Sequence, residues 1–72
     1  MVICYKKLWK LLIDKDLKKK DLISLAGISQ SSLTKMGKNQ NVNTDILVRI
    51  CTALDCQIGD IVELVPDHAH DE

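Results

Sequence analysis

Phenylalanine is absent from this chain of 72 residues, and Tyr5 and Trp9 are its whole aromatic content. So thin a supply of large flat side chains argues against a sandwich or barrel core and for aliphatic packing between helices. Proline is nearly missing too, with Pro66 as the one example, close to the end. The apolar patches ahead of it run uninterrupted, as an all-α domain needs. No apolar run approaches the roughly 20 residues that span a bilayer, so no membrane partner is expected. Met1 to Cys4 is too short for a signal peptide, and the expectation is a cytoplasmic protein. Cys4, Cys51 and Cys56 are an odd number without paired spacing, which argues against a disulfide framework. Cys51 falls on an apolar helical stripe and reads as a small core residue. Cys56 has no clear place, and a redox pair of the two is disfavoured.

Catalytic equipment is lacking as well. There is no glycine-rich phosphate loop. Both histidines, His68 and His70, lie at the end of the chain beside Asp67 and Asp71, away from any cysteine pair, so a metal site there is disfavoured. Asp14 and Asp16 fall on different helical faces and make a poor carboxylate pair. No enzyme, no cofactor and no metal is expected.

Net charge is also zero, but its distribution is not even. Residues 1–38 hold nine lysines against three aspartates, and residues 39–72 hold Arg49 alone against seven acids. A basic first half can attract phosphate even when the sum vanishes. The plainer alternative is a solvated lysine surface.

What is present is helical spacing. Tyr5, Leu8, Trp9 and Leu12 recur at i, i+3, i+4 and i+7, predicting a first helix over Tyr5 to Asp16. Leu17 reads as a buried connector. A second helix is expected over Lys18 to Ala26 and a third over Ser29 to Met36, ended by Gly37. A fourth follows Asn43, a candidate cap, with Asp45 in its first turn and Ile46, Leu47, Ile50, Cys51 and Leu54 as its buried stripe. A short fifth is expected over Ile58 to Val62. Glu63 to Val65 can pair as a strand with Val2 to Cys4. Pro66 stops it, and residues 67–72 read as a disordered acidic tail.

The centre of the chain carries the strongest signal. Leu22 and Ala26 lie i,i+4 on one helical face, and Leu33 and Met36 lie i,i+3 on another. Between them stands Ala26-Gly27-Ile28-Ser29. Glycine there can take positive φ and end a helix, and Ser29 can cap the next. Two helices packed across such a turn make a helix-turn-helix.

These residues, with Asn43-Thr44-Asp45-Ile46-Leu47 and Cys51-Thr52-Ala53-Leu54-Asp55, resemble the Cro/lambda-repressor-like, XRE-type helix-turn-helix regulators from about Tyr5 to Glu63. The chain departs from that pattern at Ile23, where a small residue is usual, and at Lys19, where glutamine is frequent. Gly37 and Asn39 stand where the family often has glutamate and then glycine. The resemblance implies an all-α, compact five-helix DNA-binding domain over 1–66, with the terminal strands as an addition. It also implies a transcriptional regulator that reads the major groove of double-stranded DNA with helix 29–36.

By resemblance, Gln30, Ser31 and Ser32 match base-contacting positions, and Lys35 matches one that touches bases or backbone. Glutamine can pair in bidentate fashion with adenine, and serine or threonine can bond several base edges. Lys19 matches a phosphate clamp. Lys18, Lys19 and Lys20 oppose the dipole of the helix they begin, so stability does not account for them, whereas a polyanion would. Thr34, Lys38, Asn39, Asn41 and Thr44 are further phosphate candidates. One module contacts little DNA, so a homodimer is expected, with Ile58, Ile61 and Leu64 as candidate surfaces. The alternative reading is a protein-binding helix-turn-helix module such as an antitoxin.

Overall fold

The computed structural model describes residues 1–67. The elements in chain order are β1 (Val2–Cys4), α1 (Lys6–Asp14), α2 (Asp21–Ala26), α3 (Gln30–Gly37), α4 (Thr44–Leu54), a 3₁₀ turn (Ile58–Asp60) and β2 (Glu63–Val65). The expected tail residues His68, His70, Asp71 and Glu72 lie outside the described residues. Asp67 lies within them, its carboxylate 3.2 Å from the amino group of Met1.

Most apolar positions read from spacing join one core, whereas Trp9, Leu17, Ile46 and Cys51 are half-buried against its edge. Tyr5, Leu8, Leu12, Leu22, Ala26, Ile28, Leu33, Met36, Leu47, Ile50, Leu54 and Ile61 are its buried members. β1 and β2 close the ends of the domain as an antiparallel pair, with Val2 opposite Val65 and Cys4 opposite Glu63. That is the strand pairing expected from the sequence. Strands this short hold because Cys4 is buried and neighbouring Ile3 and Val62 pack against the core.

Among the described residues there are four α-helices, not five. The expected helix over Ile58 to Val62 is a single 3₁₀ turn. Gly59 weakens any helix there by about 1 kcal/mol. The Asp60 carboxylate accepts the Gln57 N–H at 2.9 Å, closing the turn on itself. The chain must then swing into β2 at Glu63, and Ile61 already leaves the helical region at φ −120°.

All four helices end on a left-handed residue, and only one of these is glycine. Gly27 ends α2 at φ 67°, as expected. Asp16, Asn39 and Asp55 take the same region at φ 61°, 56° and 53°. After each, an N–H reaches back five residues to a helix carbonyl: Leu17 to Leu12, Gln40 to Lys35, and Cys56 to Cys51. This is the Schellman closure. Gly37, expected to end α3, is the last helical residue and has no positive φ. Asn39 does that work two residues later, because asparagine and aspartate tolerate the left-handed region better than other residues with a Cβ. The position is the one where the resembled family often carries glycine.

Asn39 has a second task. Its Oδ1 accepts the Tyr5 N–H at 3.3 Å, at the start of α1. Tyr5, fully buried, donates its hydroxyl to the Gln40 carbonyl at 2.7 Å. These two bonds pin the loop after α3 to α1. Asn39→Ala should cost about 2 kcal/mol, about half from backbone strain and half from the lost hydrogen bond. Asn39→Gly should cost roughly half as much, because it loses the side-chain bonding without the backbone strain. Urea denaturation of the three proteins checks this, and equal losses would contradict it.

Burial pushes the Tyr5 phenol above its ordinary pKa of 10.0. The unfolded chain then ionises first. The stability linked to this group is complete below about pH 10 and is lost as pH climbs from there through the folded value. Tyr5→Phe should lack this component when denaturation midpoints at pH 8 and pH 11 are compared, each against wild type (pH values chosen to straddle about 10).

Candidate nucleic-acid interface

α3 is built to show one side. Leu33 and Met36 turn inward and are buried. Gln30, Ser31, Thr34 and Lys35 are exposed, and Ser32 is half-buried. Ser29 caps the helix as expected: its Oγ accepts the Ser32 N–H at 3.1 Å. The same hydroxyl donates to Ser32 Oγ at 3.1 Å, which leaves the Ser32 proton available to an outside acceptor. The side chains of Gln30, Ser31 and Lys35 make no hydrogen bond or ion pair among the described residues, so their full donor and acceptor capacity faces outward. Thr34 differs. Its hydroxyl donates to the Gln30 carbonyl at 3.0 Å. A phosphate oxygen only accepts, so Thr34 reaches one only by turning that hydroxyl away from the helix.

The lysines pair with no acid among the described residues. The two ion pairs among the described residues are Arg49 with Asp45 and the Met1 amine with Asp67, so no lysine is in one. Lys18, Lys19 and Lys20 are exposed in the turn that leads into α2. The sequence expectation placed all three inside the helix. Here they form a 3₁₀ entry, whose Lys18 N–H donates to the Asp21 carboxylate at 2.8 Å. Lys19 is ordered further, its Nζ lying 4.4 Å from the centroid of the Trp9 ring. Lys38 is exposed just past α3.

Between α3 and the start of α4 lies an open groove of about 260 Å³, lined by Ser32, Lys35, Asn41, Val42, Asn43 and Ile46. Asn43 holds the cap position of α4 but makes no side-chain capping bond, contrary to expectation. The Asp45 carboxylate, in the first turn, accepts from Arg49 Nε at 2.9 Å. The Ile46 N–H donates to the Asn43 carbonyl at 3.0 Å, while the Thr44 and Asp45 N–H groups that open α4 have no side-chain acceptor among the described residues, with Asn41 and Thr44 exposed nearby. The arrangement suits an anion. Of the expected phosphate residues, Asn41 lines this groove beside the base-contacting candidate Lys35, Thr44 is exposed at the start of α4, and Lys18 and Lys19 lie on the α2 side. Asn39 is instead engaged with Tyr5.

Arg49 was missed in the sequence, where it counted only as the single cation of an acidic half. Its guanidinium Nη1 donates to the Gly27 carbonyl at 3.2 Å. One side chain on α4 thus ties that helix to the turn between α2 and α3. An arginine one helical turn after Asp45 was the available signal for the ion pair, but nothing local pointed to Gly27.

The thiols sit apart from this surface. Cys4 is buried, and Cys51 and Cys56 are half-buried at the core edge. Burial, followed by neighbouring Cys51, pushes the Cys56 thiol up to about 11, so it stays protonated and a weak nucleophile at neutral pH.

Comparison with known proteins agrees with this geometry. The family model of the Cro/C1-type HTH DNA-binding domain matches residues 7–67. The crystal structure of the transcriptional regulator VanUg is similar at a TM-score of 0.89 and 48% identity, covering 92% of this chain and 88% of that one. No curated protein matches. The chain belongs to the Cro/C1-type helix-turn-helix family and is a DNA-binding transcriptional regulator.

Proposed function

We propose that α3 enters the major groove of double-stranded DNA, with Gln30, Ser31, Ser32 and Lys35 at base edges. Lys18, Lys19, Thr34, Lys38, Asn39, Asn41 and Thr44 hold the flanking phosphates, Thr34 by rotating its hydroxyl. The observation that carries this reading is the outward side of α3, where Gln30, Ser31 and Lys35 are exposed with unengaged side chains, beside lysines that pair with no acid among the described residues. Phosphate contacts set position and much of the affinity, and base contacts set sequence choice.

A single module buries on the order of 600–1,000 Å² against DNA. Two copies on half-sites about one DNA turn apart supply the specificity that one lacks, so the protein acts as a homodimer in the cytoplasm. Ile58 and Leu64 are 47% and 63% exposed and fit a contact between copies. Ile61 was grouped with them in the sequence, but it is fully buried and belongs to the core.

The division of roles is tested by two substitutions on a site selected from random duplexes. Lys19→Ala should weaken selected and random DNA alike. Gln30→Ala should weaken the selected site by about 1–3 kcal/mol more than random DNA. Equal effects of the two on both DNAs would remove the assignment.

A further inference from the structure

Three lysines precede α2, and one of them differs from the others. Lys19 Nζ lies 4.4 Å from the Trp9 ring centroid, while Lys18 and Lys20 have no partner for their ammonium groups among the described residues. Trp9 is itself half-buried on α1 and packed against the core, so its ring is a fixed surface. Lysine carries a flexible four-carbon stem, and ordering that stem at the moment of binding lowers affinity. A ring face attracts the ammonium on one side and leaves N–H donors pointing away on the other.

We propose that Trp9 is a positioning residue, which holds the Lys19 ammonium over its ring so that a DNA phosphate meets a cation already in place. This rests on the phosphate role of Lys19 proposed above. In the complex, ring, ammonium and phosphate stack in that order, and Lys19 does not leave Trp9 to bind. Of three neighbouring lysines, Lys19 then contributes the most affinity per charge, because the least freedom is lost when it binds.

The test is a double-mutant cycle read as binding to a random-sequence duplex at low salt. Trp9→Leu should weaken binding about two- to fivefold, the equilibrium factor of an exposed cation–π contact. Lys19→Ala should weaken it more. The combined variant should bind like Lys19→Ala alone, because without the ammonium the ring has nothing to hold. Trp9→Phe, which keeps a ring, should retain most of the affinity. If Trp9 acted only through packing, its effect would persist in the Lys19→Ala background, and additive losses would overturn the proposal.

A measurement on the unaltered protein stands independently of whether Trp9→Leu folds. The Lys19 side-chain methylene protons should show upfield ring-current shifts that those of Lys18 and Lys20 lack. These shifts should persist when duplex is added. Their disappearance on binding would mean that Lys19 swings off the ring, and would also overturn the proposal. Absence of duplex binding by the wild type would overturn the phosphate reading together with this one. Normal binding with additive losses would overturn the role of Trp9 alone.

Discussion

Raising salt from about 50 to about 200 mM should weaken binding to a random duplex by about 150-fold. Each neutralised phosphate contributes about −0.9 to the slope of log K against log salt, and about four phosphates per chain give a slope of roughly −3.6. The structure makes this expectation sharper than the zero net charge suggests. A lysine already paired with an acid would exchange one partner for another on binding and release fewer counterions. No lysine among the described residues is so paired. On these lysines, the described acids of the second half act through the longer-range field, which falls off over about 10 Å at 0.1 M salt. Fluorescence anisotropy of a labelled duplex across a salt series measures the slope. A flat response would sink the phosphate contacts and favour the alternative of a module that binds a protein partner.

Ile61→Ala should lower folding stability by about 2–5 kcal/mol, the range for removing a large buried aliphatic side chain. For a domain of this size that corresponds to a fall in Tm of roughly 10 °C or more. Ile61 is completely enclosed, whereas Ile58, three residues earlier, is 47% exposed. Ile58→Ala should therefore cost much less, within about 1 kcal/mol. The loss from Ile61→Ala should not depend on protein concentration, because the contacts it removes lie within one chain. Thermal denaturation at several dilutions checks both points. A loss that shrinks on dilution would put Ile61 between two copies instead.

This small core leaves little margin. Domains near 70 residues bury a modest share of their surface, so losing even one large aliphatic side chain matters. The same limit explains why so many side chains here serve two purposes. Tyr5 fills the core and holds the loop after α3, and Asn39 ends α3 while tethering the start of α1. Trp9 packs against the core and orders Lys19.

Much of the architecture was legible in the sequence, for a local reason. Burial imposes a period of about 3.6 on a helix, so Leu22, Ala26, Leu33 and Met36 announce their faces without reference to anything distant. Gly27 and Ser29 were equally legible, since a left-handed end and a hydroxyl cap are decided within four residues. The 3₁₀ turn defeated the same reasoning. Three residues are too few to display a period, so Ile58, Ile61 and Leu64 looked alike until their surroundings separated them. Gly37 misled for a different reason: glycine permits a left-handed end without requiring one, and Asn39 took it.

By itself, then, the order of residues determined the helical class, the bend at Gly27, the cap at Ser29, and which side of α3 carries Gln30, Ser31 and Lys35. Only the tertiary structure decided that Arg49 fastens α4 to the Gly27 carbonyl, that Asn39 bonds to Tyr5, and that Lys19 rests on Trp9. It also decided that Ile61 is interior. Spacing along a chain records how a segment meets an apolar phase, but it holds no record of which polar atom from another segment will arrive within 3–4 Å. That meeting is arranged by the packing of whole helices, and it exists only once they are packed.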